Sequence, residues 1–206
     1  MSHYFDSPAE PLDLNLVRTV DCQIWDETLT FRTAAGVFSG TRLDPGTSVL
    51  LKESAPPTGA LRVADVGCGF GPIAVALARV APEALVDAVD VNDRALQLTR
   101  LNADSLGVGD RVRALRPDEV DPTTRYDQIW SNPPIRIGKP ALHELLLTWL
   151  PRLAPAGEAR LVVGRNLGAD SLQRWIGEQR VDGVRFACER AASAKGFRVL
   201  SVRLLP

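Results

Sequence analysis

In VADVGCGFGPI, residues 63–73, an apolar run breaks into three glycines, Gly67, Gly69 and Gly71, and then a proline. Glycine reaches positive φ without steric penalty and lets backbone approach a ligand closely. Pro72 suits the first position of a helix, where its missing N–H costs nothing. PIAVALARVA (72–81) reads as that helix, and its free N–H groups would face whatever the loop holds. The spacing is not that of a dinucleotide loop, because G-x-G-x-x-G would need its third glycine at position 72, which is Pro72. Asp65 leads the loop. Its carboxylate would repel a pyrophosphate but attract an ammonium. The pattern D-x-G-x-G-x-G therefore points to a ligand with an amino-acid end and a nucleoside end.

On either side of this loop the pattern is regular. LRVADVG (61–67) is a strand before the helix, and ALVDAVDV (84–91) with NDRALQLTRLNADSLG (92–107) repeats the pair. RVRAL (111–115) is a short strand. YDQIWS (126–131) and KPALHELLLTWLPRL (139–153) follow, then GEARLVVG (157–164) and DSLQRWIGEQ (170–179). VRFACERA (184–191) and GFRVLSVRLL (196–205) close the chain, with only the turn SAKG between them. Such alternation predicts an α/β fold, a mostly parallel sheet with helices on both faces and a terminal antiparallel hairpin. Ligands bind such sheets beyond the carboxyl ends of the strands. Upstream, TLTFRT (28–33) alternates apolar and polar residues and predicts a hairpin. GVFSGTRLDPGT (36–47) reads as a loop with a Pro-Gly turn, and SVLLKES (48–54) as a short helix. The whole, 1–206, is expected to be one domain: a β-hairpin and loop extension over 1–58 and a core over 59–206.

Composition narrows the class. Hydrophobic residues make up 45% of 206, enough for a sizeable core. No apolar run is long enough to span a bilayer, and the polar, acidic start MSHYFDSPAEPLDLN is unlike a signal or transit peptide. Cys22, Cys68 and Cys188 are odd in number and far apart, which suits neither a disulfide framework nor a metal site; the cytoplasm is the expected compartment. Residues 1–130 hold 12 Lys and Arg against 19 Asp and Glu, a balance of −7; residues 131–206 hold 12 against 6, a balance of +6. A basic half could meet a polyanion.

Three acids end three successive strands: Asp65, Asp90 and Asp118. An acid at the position of Asp90 can accept from both hydroxyls of a ribose. Asp118 could accept from an adenine amino group. Asp87 falls earlier in its strand and is expected at the strand entrance or on the surface. The fourth strand ends in SNPPIRIGK (131–139), whose paired prolines cannot lie inside a helix or a central strand. The Asn132 side-chain oxygen and the Pro133 carbonyl form two acceptors set at an angle. They could bind both N–H groups of a planar amine and turn its lone pair outward.

VADVGCGFGPIAVALA (63–78), VDAVDVNDRAL (86–96) and the Asp118 loop resemble the first three motifs of class I S-adenosylmethionine-dependent methyltransferases. The resemblance implies a Rossmann-like sheet of seven strands with the last antiparallel, and S-adenosylmethionine as cofactor with no metal. It implies that Gly67, Cys68, Gly69 and Gly71 pass under the methionine part and that Asp65 supports its ammonium. Asp90 would bind the ribose, Val91 and Glu119 would flank the adenine, Asp118 would contact its amine, and Asn132 would border the cofactor. SNPP resembles the N-P-P-[YFW] motif of enzymes that methylate planar amines, with Asn132, Pro133, Pro134 and Ile135 in the catalytic corner. Ile135 departs from the aromatic of that motif. HYF (3–5), TFRTAAGVFS (30–39), NPPIRIGKPALH (132–143) and KGFRVL (195–200) resemble small proteins related to the catalytic half of ribosomal RNA small subunit methyltransferase C. That implies methylation of guanine N2 in ribosomal RNA, by a monomer or weak homodimer without membrane partners. Methylation of a protein glutamine or of adenine, and a module that binds cofactor or RNA without catalysis, are the other readings.

Arg136 and Lys139 follow the corner at a helix start, where the helix dipole does not favour cations, so a bound phosphate is expected. Lys195 and Arg198 could line the same basic face or cap the terminal turn. Phe38 could cover the cofactor, stack a base or pack in the core. Cys68 is expected to be a small buried filler and His143 a helix-surface or core residue; Trp130, Trp149 and Trp175 are expected in the core.

Overall fold

The computed structural model describes residues 12–37, 42–59 and 61–205. The N-terminal hairpin pairs β1 (Arg18–Ile24) with β2 (Glu27–Thr33), so that Val20 faces Phe31 and Cys22 faces Leu29. The apolar half of this alternation is buried. The Asn102 side chain fastens the hairpin to the core, accepting from Arg32 N at 2.7 Å and donating to Arg32 O at 2.8 Å. Phe31 meets Phe70 edge to face at 5.7 Å.

Next comes α1 (Pro45–Lys52). The Pro-Gly pair expected as a turn is instead its first turn. Asp44 caps it, accepting from Gly46 N at 2.7 Å and Thr47 N at 3.1 Å. Proline at N1 and an aspartate N-cap form a helix start as readily as a turn. Leu50 and Leu51 are fully buried, each contributing about 1.5–3 kcal/mol relative to exposure.

The core then runs β3 (Arg62–Val66), α2 (Pro72–Val80), β4 (Leu85–Val89), α3 (Asp93–Ser105), β5 (Val112–Leu115), β6 (Tyr126–Ser131), α4 (Lys139–Trp149), β7 (Leu153–Gly164), α5 (Ala169–Glu178), β8 (Arg180–Val181), β9 (Val184–Ala194) and β10 (Phe197–Leu205). The sheet order is β5-β4-β3-β6-β7-β10-β9-β8. Strands β3 to β7 are parallel, while β10 runs antiparallel to both β7 and β9. The sheet therefore has eight strands rather than seven, because two-residue β8 pairs antiparallel with the start of β9.

Side-chain alternation splits the core into two layers. Val63, Trp130, Val162 and Val199 face one layer, which holds α1, α2, α3 and the hairpin; Ala64, Ile129, Val163 and Leu200 face the other, under α4 and α5. Trp130 and Trp149 are buried as expected, while Trp175 is only partly buried and stacks on His143 at 3.6 Å. The expectation for Asp87 is corrected: it is buried and accepts from Arg113 Nε and Tyr126 Oη, both at 2.8 Å. These partners come from β5 and β6, so a buried charge is matched at a mid-strand position that looks superficial in sequence. Among the described residues no helix is long and apolar enough to cross a membrane.

Candidate active site

The loop after β3 is shaped by its three glycines. Gly67, Gly69 and Gly71 have φ of 78°, 58° and 89°, in the left-handed region. Gly67 N and Cys68 N both donate to Val89 O, and Thr99 Oγ1 donates to Gly69 O at 3.0 Å. A side chain at Gly67 or Gly69 would enter open space. At Gly71 a Cβ would lie 3.0 Å from the Thr99 side chain, so this glycine serves the packing of α2 on α3 rather than the cleft.

Two carboxyls brace the loop from beneath. Asp65 is completely buried; Oδ2 accepts from Ala74 N at 3.0 Å and Oδ1 has no partner. Burial pushes its carboxyl up to about 8, against the Ala74 hydrogen bond and with Asp90 adding to the rise. Asp90 accepts from Gly69 N and Asn92 N, both at 3.0 Å, and burial raises its carboxyl too. Cys68 is buried and its thiol is held well above the usual range by desolvation, which fits a filler rather than a nucleophile.

Val91 lies exposed just past β4, and Asp118 and Glu119 sit on a single 3-10 turn after β5. The Asp118 carboxylate is 83% exposed and 3.7 Å from Arg116 Nε, while Glu119 accepts from Arg116 N at 2.7 Å. Arg116 also pairs with Asp93. The loop before Phe38 is drawn to this side, since Asn92 Nδ2 donates to Gly36 O at 2.9 Å and Arg94 to Ala35 O at 3.0 Å. Phe38 itself lies outside the described residues, as does HYF (3–5).

At the end of β6, Ser131 is buried and donates to Val66 O at 2.6 Å, joining the corner to β3. Asn132 Nδ2 donates to Asp44 Oδ1 at 2.7 Å and to Thr47 Oγ1 at 3.0 Å. Pro134 has φ −73° and ψ 77°, an inverse γ-turn in which Ile135 N donates to Pro133 O at 2.8 Å. One lone pair of that carbonyl is therefore used, and one remains. Ile135 packs against the second core layer rather than presenting a flat face to the cleft.

Loop and corner share one cleft. It is lined by Gly67, Cys68, Gly69 and Asn132, together with Asp44 and Thr47. Asp44 and Thr47 were not among the expected site residues. LDPGT, where they sit, reads as a turn or a capped helix start and does not by itself point to the cleft. Asp65 and Asp90 lie behind the loop. Arg136, Lys139 and Lys195 are exposed at the same end of the sheet, and none forms an ion pair with another described residue. Arg198 does not join them. Strand alternation turns it to the face opposite Phe197, where it pairs with Asp170 at 3.1 Å and Ser193 at 2.8 Å.

The site fits S-adenosylmethionine. A cationic amino group would answer the unpaired, buried Asp65 Oδ1, and the open space over Gly67 and Gly69 leaves room for the methionine part. Residues 28–201 match the family model of the methyltransferase small domain. The uncharacterized protein YbxB of Bacillus subtilis is 31% identical over 174 residues, 83% of this chain and 86% of that one. Ribosomal RNA small subunit methyltransferase C of Pseudomonas aeruginosa (strain LESB58) is 35% identical over 205 residues, 96% of this chain but 58% of that one. The chain thus spans little more than half the length of this methyltransferase C relative. The structure of the Thermus thermophilus 16S rRNA N2 G1207 methyltransferase, in complex with AdoMet and guanosine, superposes with a TM-score of 0.74 at 23% identity, covering 96% of this chain and 53% of that one. The chain belongs to the methyltransferase small domain family, and its fold is that of the S-adenosylmethionine-dependent methyltransferases.

Proposed function

We propose that the protein is an S-adenosylmethionine-dependent N-methyltransferase acting on the exocyclic N2 amine of guanine in ribosomal RNA. The observation that carries the reading is the shared cleft, with a glycine loop on one wall and the Asn132 acceptor corner on the other. The cofactor would be held by Asp65, Gly67, Cys68, Gly69, Asp90, Val91, Asp118 and Glu119, with Gly71 keeping the loop seated on α3. When bound, it supplies an electrophilic methyl group on a sulfonium, a good leaving group.

The chain's own residues deal with the amine. An exocyclic amine is a poor nucleophile because its lone pair is delocalised into the ring. Asn132 Oδ1 and the remaining lone pair of Pro133 O would accept its two N–H groups and favour a more tetrahedral nitrogen. Pro134 holds that carbonyl by its fixed φ. After transfer the nitrogen is more acidic and loses a proton to solvent. Catalysis here is orientation plus electrostatics. Arg136, Lys139 and Lys195 would meet RNA phosphates at the rim.

Ile135, partly buried against the second core layer, is aliphatic and offers no flat face for the stacking that adenine or glutamine methylation on the N-P-P-aromatic plan would use, so the guanine reading is preferred. The test is transfer of radiolabelled methyl from S-adenosylmethionine to unmodified ribosomal RNA, naked and in small subunits, followed by nucleoside analysis. The expected product is N2-methylguanosine. Label appearing only in protein, or in adenosine, would refute the reading.

A further inference from the structure

We infer that Asp44 and Thr47 are positioning residues for Asn132, and that their clamp keeps its amide oxygen turned toward the substrate. This rests on the N-methyltransferase reading above. A primary amide nitrogen carries two hydrogens, and Asn132 Nδ2 spends one on Asp44 Oδ1 at 2.7 Å and one on Thr47 Oγ1 at 3.0 Å. Rotating the amide by half a turn would set its carbonyl oxygen against the Asp44 carboxylate, acceptor against acceptor. The orientation is therefore settled by chemistry, and Oδ1 is the end left for the substrate.

The clamp is itself rigid. Asp44 Oδ1 also takes the Gly46 and Thr47 N–H groups as cap of α1. Thr47 is buried, and α1 docks on β7 and β10. Gly46 permits the approach: a Cβ there would lie 2.9 Å from Asp44 Oδ1, 3.1 Å from Phe197 Cε1 and 3.4 Å from Asn132 Nδ2. The carboxylate also polarises the amide, making Oδ1 a stronger acceptor as positive charge grows on the amine.

The variants Asp44→Ser, Asp44→Asn, Thr47→Val and Thr47→Ser are to be made alone and in the Asn132→Ala background. Transfer is measured on small subunits from a strain lacking the protein, and S-adenosylmethionine affinity by calorimetry. Serine still caps α1 but is too short to reach Asn132. Asp44→Ser and Thr47→Val should lower kcat about 10–100-fold with cofactor affinity unchanged. Asp44→Asn and Thr47→Ser, which keep an acceptor, should recover most of the loss. In the Asn132→Ala background the same changes should cost nothing further.

Equal losses in both backgrounds, or a loss carried wholly by cofactor affinity, would overturn the proposal. If Asn132→Ala itself transfers at the wild-type rate, the functional reading falls first and the clamp with it. A readout free of substrate keeps the two apart: the Asn132 side-chain NH₂ protons should exchange slowly by NMR in the wild type and fast in Thr47→Val. Fast exchange in the wild type would contradict the clamp even in an active enzyme.

Discussion

The loop after β3 and the corner after β6 face each other across one cleft, yet they are held differently. The loop is fixed by near neighbours: Ala74 bonds Asp65 nine residues away, Asp90 bonds Gly69 across 21, and Thr99 bonds Gly69 across 30. The corner is fixed from afar, by Asp44 across 88 residues and Thr47 across 85. One wall belongs to the consecutive elements from β3 to α3, and the other exists only in the assembled chain. Damage to the two walls should therefore differ in kind. The loop should answer in folding and cofactor affinity, the corner in turnover.

The largest expected effect is at the corner. Asn132→Ala should lower kcat about 100–1,000-fold, the usual loss for one preorganised polar group aimed at developing charge. Cofactor affinity by calorimetry should stay near wild type, and a parallel collapse of affinity would break the distinction between the walls.

The glycines sharpen it within the loop. Gly71→Ala combines a left-handed φ with a contact 3.2 Å from the Thr99 backbone, and urea unfolding should show a loss of about 2–4 kcal/mol. Gly69→Ala meets only the φ penalty of about 1–2 kcal/mol, while its methyl group enters the cleft and weakens cofactor binding. Equal unfolding losses for both would mean that the loop does not divide into a packing glycine and a cleft glycine.

Legibility followed the same division. D-x-G-x-G-x-G, the acid at Asp90 and the NPP corner are local patterns, and their residues sit at the carboxyl ends of β3, β4 and β6. Asp44 and Thr47 were not legible as site residues, because D-P-G is as good a turn as a helix start and nothing nearby in the chain points to Asn132. Asp87 was misplaced for a related reason: Arg113 and Tyr126, which make its burial tolerable, come from other strands. Arg198 has two readings in sequence, a basic rim beside Lys195 or a cap on the terminal turn; its bonds go to Asp170 and to Ser193 at that turn, away from the rim. Eight strands instead of seven follow from two residues of β8, too short for any periodic signal.

A third effect belongs to the loop side and depends on pH. The Asp65 carboxyl titrates near 8 in the folded protein and near the ordinary carboxylate value when unfolded. Its protonated form favours the fold, so this stability is complete below about 4 and is lost as pH rises toward 8. The loss should reach at most about 1.4 kcal/mol per pH unit in cofactor-free protein. Asp65→Asn should flatten the profile of Tm against pH between 5 and 8. An unchanged profile would move the pH dependence away from the loop.

The smallest effects lie at the rim. Arg136→Ala, Lys139→Ala and Lys195→Ala should each reduce the slope of log affinity for RNA against log salt by about 0.7, leaving kcat nearly unchanged. Arg198→Ala should leave that slope as it is. A reduced slope would return Arg198 to the RNA face.

The central claim is that this cleft methylates guanine N2 in ribosomal RNA. It is tested most directly by mass-spectrometric mapping of ribosomal RNA from a strain lacking the protein. One guanine should lose its N2 methyl group, and that group should return with the wild-type protein but not with Asn132→Ala. An unchanged methylation map, or full restoration by Asn132→Ala, would contradict it.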